Sequence, residues 1–275
     1  MQEPQWSKDL MKKFLDGTKY SGTRQPKEKV ISASSLGKEP YYLMLEYLYG
    51  KSDDQEEYGA NTTGSIYQLG IDSILKDDPR YWIAKRMKFE LPNGWIVSGE
   101  IDIYDTVYKM IIDDKLLSGG GFESAIKDDI NSDYNLQQAV YVMLMDKVEN
   151  IKDVKAALHA VNKAGSAGKK NILKNFELTL HDVDTIIEML IKKTDAVQYH
   201  IGNNSMPSFP DEVCDIFKYG KTNGVANRCK LYCDYRDKCP QYQQNSHITT
   251  NLTLKALEPT KATKETYLPG KDYQF

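Results

Sequence analysis

No cysteine precedes Cys214, and the four thiols, Cys214, Cys229, Cys233 and Cys239, crowd into one short C-terminal stretch. A disulfide scaffold spreads its cysteines and belongs mostly to small secreted chains, so this clustering points to a single metal centre. Long apolar runs are absent too: no window approaches the ~20 uncharged residues that a membrane helix needs. The N-terminus, MQEPQWSKDLMKKFLDG, has no apolar segment of the kind a secretory signal carries. A cytoplasmic protein with no membrane contact is expected. There is no G-x-x-x-x-G-K-[ST] loop, which excludes an ATP-driven motor within this chain. The four histidines, His159, His181, His200 and His247, share no ligand spacing, and His159 reads as a packed or capping residue in a strand. No charge of one sign dominates either. With 36 Lys+Arg against 39 Asp+Glu the net charge is −3, which lacks the basic surplus of a typical nucleic-acid binder.

What is present is a chain of 275 residues, 40% hydrophobic and 11% aromatic, long enough to bury a full core. Residues 1–30 read as a short helix and linker, 31–205 as an α/β core, 206–243 as the cysteine module and 244–275 as a Thr/Lys-rich tail. Ser32, Ser34 and Ser35 are placed to cap a helix through Tyr41–Tyr49. A second helix follows Gly64. WIAKRMKFEL, WIVSGEIDIYD and VYKMIIDDKLL alternate as an antiparallel meander around a P-N-G turn. S-G-G-G then reads as a flexible break. The helix SDYNLQQAVYVMLMDKV sets Leu136, Val140, Tyr141, Leu144 and Val148 on one side. Two more strands, VKAALHAVNK and NFELTL, precede a helix of about 20 residues capped by His181 or Asp182.

The chemistry concentrates in the meander. Asp102 lies in G-E-I-D between Ile101 and Ile103, and the next strand carries Asp113 and Lys115 in D-D-K. Residues two apart on a strand share a face, and an antiparallel neighbour brings Asp102 onto it. Two carboxylates and an ammonium then converge at one strand end. Hard oxygen donors suit Mg²⁺ or Mn²⁺, which activate a phosphodiester and a water for hydrolysis, while lysine supplies charge for the developing phosphorane. Gln137 and Tyr141 follow at i, i+4 on one helical face.

The order G-x-x-D, D-x-K, Q-x-x-x-Y resembles the RecB-like branch of the PD-(D/E)XK nuclease superfamily, which includes the AddB-type nucleases and the iron–sulfur exonucleases of CRISPR adaptation. The resemblance runs from about Ser32 to Pro240. It implies a restriction-endonuclease-like core, a mixed β-sheet flanked by helices. It also implies that the backbone carbonyl of Asp114 joins Asp102 and Asp113 as a metal ligand, and that Gln137 and Tyr141 position the DNA backbone and the lysine. Where relatives carry a metal-binding His in G-x-x-x-H, this chain reads Gly64-Ser-Ile-Tyr-Gln68, so Gln68 takes that place as a candidate ligand. The C-x14-C-x3-C-x5-C-P run resembles the C-terminal part of the iron–sulfur members, with two departures. Their C-x2-C is one residue longer here, and Glu39 stands where their upstream cysteine is found, with Cys214 as the replacement. Four thiolates satisfy either a [4Fe–4S] cluster or tetrahedral Zn²⁺, and the resemblance favours the cluster.

Lys169 and Lys170, in a Gly/Ser/Asn-rich loop, are candidates for phosphate contact. The expected function is a divalent-metal-dependent deoxyribonuclease, an exonuclease acting on single-stranded DNA or DNA ends, with a helicase or a recombination or replication factor as a partner. One alternative is a catalytically weakened binding or assembly factor on the same fold, with a structural four-cysteine metal site. Another is a zinc-dependent interaction protein. The net charge of −3 does not oppose the nuclease reading, since a bound divalent ion inverts the local sign around clustered carboxylates.

Overall fold

A computed structural model describes residues 24–50, 60–117, 119–162 and 173–207, together with Tyr235, Lys238 and Cys239. The chain divides into two units, Met1–Ser208 and Phe209–Phe275, and the elements below belong to the first. They run β1 (Val30–Ser32), a 3₁₀ turn (Ala33–Ser35), α1 (Pro40–Tyr49), α2 (Ala60–Leu75), β2 (Tyr81–Glu90), β3 (Ile96–Asp105), β4 (Met110–Leu117), α3 (Gly119–Ala125), α4 (Asp133–Val148), β5 (Lys155–Asn162), β6 (Leu173–Glu177) and α5 (Val183–Gly202). The expected α/β class is the observed one, a mixed sheet flanked by helices. The cysteine module falls largely outside the described residues. Among the described residues no helix is long and apolar enough to cross a membrane.

The six-stranded sheet has the order β1-β3-β4-β5-β6, with β2 on the other side of β3. β2, β3 and β4 form the expected antiparallel meander, and β5 then runs parallel to β4. One edge of β3 is shared by two strands placed end to end. β1 pairs in parallel with Ile96–Ser98, while β4 pairs with Ile103–Asp105. Between them residues 99–102, the G-E-I-D segment, have no strand partner on that edge. This break is the feature of the fold that positions the site.

Against the sheet lies α4, capped by Ser132, whose Oγ accepts the Asn135 N–H at 3.2 Å. Its core face carries Leu136, Val140 and Leu144 as expected, but Met143 and Met145 are fully buried as well. Packing by α5 on its far side explains why the helix is apolar almost all round rather than amphipathic. Val148, expected in the core stripe, is instead 41% exposed at the end of the helix. At the start of α5 the cap is Asp182, whose carboxylate accepts the Thr185 N–H at 2.9 Å. His181 contacts Asn131 instead.

Other local expectations are corrected too. The second helix does not follow Gly64 but starts at Ala60, with Gly64 inside its first turns. The serines do not cap α1, which starts at Pro40 after Glu39. Ser32 closes β1, bonds Ser35 at 2.7 Å, and Ser35 donates to the buried carboxylate of Glu46. The three glycines of the expected break, Gly119–Gly121, in fact open α3. Phe122 and Ala125 of that helix bury against Leu158 and Ala160 of β5, and this packing overrides the poor helix propensity of glycine. The strand expected at NFELTL begins and ends earlier, because Thr179 leaves the ladder to bond Asp128 through both its N–H and its hydroxyl.

Gly99 is required by the packing of α4. A Cβ built on it would lie 2.7 Å from Cε1 of Tyr141 and 3.0 Å from Leu144 Cδ1, closer than real contacts allow. Both neighbours are buried side chains with little room to retreat. The glycine of G-x-x-D and the tyrosine of Q-x-x-x-Y are thus two halves of one contact. Gly99→Ala is expected to destabilise the protein by about 1–3 kcal/mol through overpacking. The measurement is urea unfolding, with a lower midpoint at unchanged slope; an unchanged midpoint refutes the close approach.

Candidate active site

Asp102 is the one residue of β3 outside every strand pairing. The β2–β3 register passes from Ile83↔Ile103 to Lys85↔Ile101, skipping Ala84 and Asp102. Ala84 itself has a left-handed φ of 50°, an unfavourable backbone for alanine. On the other edge, the pairing of β3 with β4 stops at Ile103↔Ile112. Beyond that point β4 follows β5 alone, and the two strands part. The carboxylate of Asp102 occupies the opening: its Oδ2 accepts the Asp114 N–H at 3.3 Å. A side chain thus takes the bond that a ladder carbonyl of β3 would otherwise have accepted.

Asp113 and Lys115 project beside it. The Lys115 ammonium is 3.0 Å from Asp113 Oδ2 and 3.8 Å from Asp102 Oδ2. Three of the residues expected to carry chemistry are therefore brought together. Both carboxylate oxygens of Asp113 are buried without a hydrogen bond of regular geometry, so the ammonium is its main compensation. Burial first, then the charge of Asp113, push the Asp102 carboxyl up to about 7 against the opposing effects of Lys115 and the Asp114 N–H. Burial alone would lower Lys115, but Asp113 and Asp102 outweigh it and hold the ammonium well above the usual lysine range.

Gln137 and Tyr141 are joined as the i, i+4 spacing suggests, the Gln137 amide donating to Tyr141 Oη at 2.8 Å. Tyr141 is buried over Gly99, and burial and the Asp113 charge push its phenol above the ordinary range, so it stays neutral. Tyr134, which the motif reading missed, lies three residues before Gln137 and seven before Tyr141, on the same helical face. Burial raises it, and the charges of both Lys115 and Asp113 act on it. Helical spacing alone was a sufficient signal for this residue.

Gln68 does not join the group. Its amide donates to Asp72, one turn on in α2, at 2.8 Å, and no hydrogen bond links it to Asp102 or Asp113. The side chain of Asp114 turns away from the group and contacts His159 Nδ1, its neighbour in the parallel pairing of β4 and β5. Burial raises the Asp114 carboxyl, opposed by His159. His159 was expected as a packed or capping residue; nothing local in the sequence reveals a partner 45 residues away across a parallel pair. Lys169 and Lys170 lie outside the described residues, as do Cys214, Cys229 and Cys233; Cys239 is described and buried.

Among the described residues no set of three or more His, Cys, Asp or Glu side chains converges as a ready ligand cage. The chemistry of the acidic pair nonetheless fits a hard divalent cation, because Asp113 holds two buried oxygens without regular hydrogen bonds beside a second carboxylate that resists ionisation.

The raised value of Asp102 has a sign that can be tested. Between the ordinary carboxylate value of 3.8 and about 7, the folded chain holds a proton that the unfolded chain has released. The stability contributed by this group is complete below the lower value and is lost as pH rises through the upper one. In metal-free buffer, the stability of Asp102→Asn relative to the unsubstituted protein should therefore climb between about pH 4 and pH 7 and level off above. A difference that stays flat across that window contradicts the assignment.

No family model and no curated protein matches the chain. Among solved structures it is similar to the protein SSO0001, with a TM-score of 0.50 and 17% identity over 87% of this chain and 98% of that one. It is also similar to an alkaline exonuclease, LHK-Exo, from Laribacter hongkongensis, with a TM-score of 0.42 and 9% identity over 70% of this chain and 97% of that one. A phage-related exonuclease from Haemophilus somnus 129PT follows, with a TM-score of 0.38 and 16% identity over 62% of this chain and 83% of that one. At such identities the likeness to SSO0001 is one of fold.

Proposed function

We propose that the protein is a divalent-metal-dependent deoxyribonuclease that hydrolyses phosphodiester bonds of single-stranded DNA or DNA ends, working as an exonuclease. The observation that carries this reading is the Asp113 carboxylate, buried with both oxygens short of regular hydrogen bonds, next to Asp102 and 3.0 Å from the Lys115 ammonium. Asp102, Asp113 and the main-chain carbonyl of Asp114 would hold Mg²⁺ or Mn²⁺. When bound, the ion polarises the phosphodiester and lowers the pKa of the attacking water.

The protein's own groups have defined tasks in this reading. Lys115 stays protonated near neutral pH, because the two carboxylates hold its pKa high. It therefore serves as a donor and a positive charge for the phosphorane, and not as the base that takes the water's proton. Tyr141, neutral and tied to Gln137, steadies the helix face against the strand end, and the half-buried Gln137 is the one of the two placed to meet the DNA backbone. Lys169 and Lys170 add phosphate contacts. The four cysteines hold a [4Fe–4S] cluster that staples the C-terminal module, with a helicase or a recombination or replication factor as the assembly's partner.

A second reading has one observation in its favour. The Gln68 amide, in the place where an imidazole ligand is expected from the resemblance, is engaged by Asp72. That favours a weakened nuclease fold kept for nucleic-acid binding or assembly. Titrating Mg²⁺ and Mn²⁺ into cleavage of labelled single-stranded DNA separates the two. Metal-dependent cleavage that falls about a hundredfold or more in both Asp113→Ala and Lys115→Ala is expected for the nuclease. Full activity in Lys115→Ala refutes it, and binding without cleavage by the unsubstituted protein supports the second reading. The cysteine assignment has its own check. A brown preparation with iron and acid-labile sulfide is expected, and a colourless one carrying zinc overturns the cluster.

A further inference from the structure

Position 114 sits between the two reacting neighbours of the D-x-K motif, and a strand residue there turns its side chain to the opposite face of the sheet. In this chain that side chain is a carboxylate with no exposed surface, and its partner is His159 Nδ1. The pairing follows from the parallel register, in which Asp114 stands opposite His159 along the β4–β5 ladder. The ring of His159 also lies edge-on to Tyr67 of α2, with centroids 6.5 Å apart. A buried carboxylate in mid-strand is costly unless it is paired, so its presence calls for a reason beyond packing.

The main chain of the same residue supplies one. The Asp114 N–H donates to Asp102 Oδ2 at 3.3 Å, at the point where β4 has left β3 and has only β5 to hold it. Neither ladder of β3 fixes Asp102, so its carboxylate is oriented by this peptide group. We infer that His159 is a positioning residue: by gripping the Asp114 side chain from β5, it fixes the 113–115 backbone so that the Asp114 N–H stays aimed at Asp102 and the adjoining peptide groups keep their place beside the acidic pair. Groups that orient ligands from behind commonly change metal affinity or activity by about 10–100-fold when removed.

This inference rests on the nuclease reading, and the test keeps the two apart. Mn²⁺ affinity is measured without DNA by electron paramagnetic resonance, alongside kcat and KM on single-stranded DNA. His159→Ala is expected to weaken Mn²⁺ binding and lower kcat by about tenfold or more, with KM for DNA little changed. His159→Asn, whose amide can reproduce the Nδ1 donor, should recover much of both. Because an unpaired Asp114 carboxylate can unfold the protein, the double variant Asp114→Leu, His159→Leu is the second probe. It replaces the pair with apolar groups of similar size, keeps the β4 main chain, and should fold while showing the same loss. Unsubstituted protein that neither binds Mn²⁺ nor cleaves overturns the nuclease reading itself. Active unsubstituted protein whose folded His159→Ala or double variant keeps full Mn²⁺ affinity and kcat overturns the positioning role alone.

Discussion

The bond from the Asp114 N–H to the Asp102 carboxylate is the interaction on which the site depends. Two adjacent antiparallel strands would ordinarily satisfy each other's backbone along their full length. Here they do so only from Ile103↔Ile112 to Asp105↔Met110. A strand that leaves its partner exposes N–H groups that must bond elsewhere, and a carboxylate placed at the fork answers that need. The fork in turn requires that something else hold both strands. β2 and β1 secure β3, while β5 secures β4 along its whole length. α4 covers the opening, which is possible only because residue 99 has no side chain. The glycine, the tyrosine and the aspartate of the motifs are thus parts of one packing solution as well as of one chemical site.

Electrostatics completes the picture. Three carboxylates, Asp102, Asp113 and Asp114, lie around a single ammonium and one imidazole. The arrangement separates them by task. Asp114 is turned to the far face and matched to His159, while Asp102 and Asp113 share Lys115. One lysine is shared by the buried Asp113 and the half-buried Asp102, and the result is a carboxyl at Asp102 that ionises only near neutrality.

Several of these relations were legible in the sequence because they are local. The i, i+2 spacing of Asp113 and Lys115 and the i, i+4 spacing of Gln137 and Tyr141 follow from backbone periodicity alone. The cap of α5 was narrowed to His181 or Asp182, and Asp182 is the one that takes it. What escaped was set by distant partners. Gly119–Gly121 are helical because Phe122 and Ala125 find Leu158 and Ala160. Ser32 is a strand residue because Ser98 stands beside it in parallel register. Met143 and Met145 are buried because a second helix covers α4. The same holds for Asp114 and His159, whose contact depends on which strand pairs with β4 and in which register. The meander was readable, but the fork within it was not, since alternation of apolar and polar residues continues through Asp102 although its pairing does not.

On the nuclease reading, the fork also reconciles a slightly acidic chain with a polyanionic substrate. A net charge of −3 averages over the whole surface, whereas a phosphate approaching the site meets a local field. Without a cation that field is set by Asp102 and Asp113 against Lys115, and it repels. With a divalent ion bound, the same residues sum to a positive centre, because two charges are added where the lysine alone fell short. On the nuclease reading, binding of DNA would then be conditional on the ion, and the acidity that first argues against nucleic acid would be the reason for requiring a metal. Asp113 stands at the centre of this field, since its buried carboxylate has the Lys115 ammonium at 3.0 Å as its counter-charge, and a charge withdrawn from water responds more strongly to an added ion than an exposed one does.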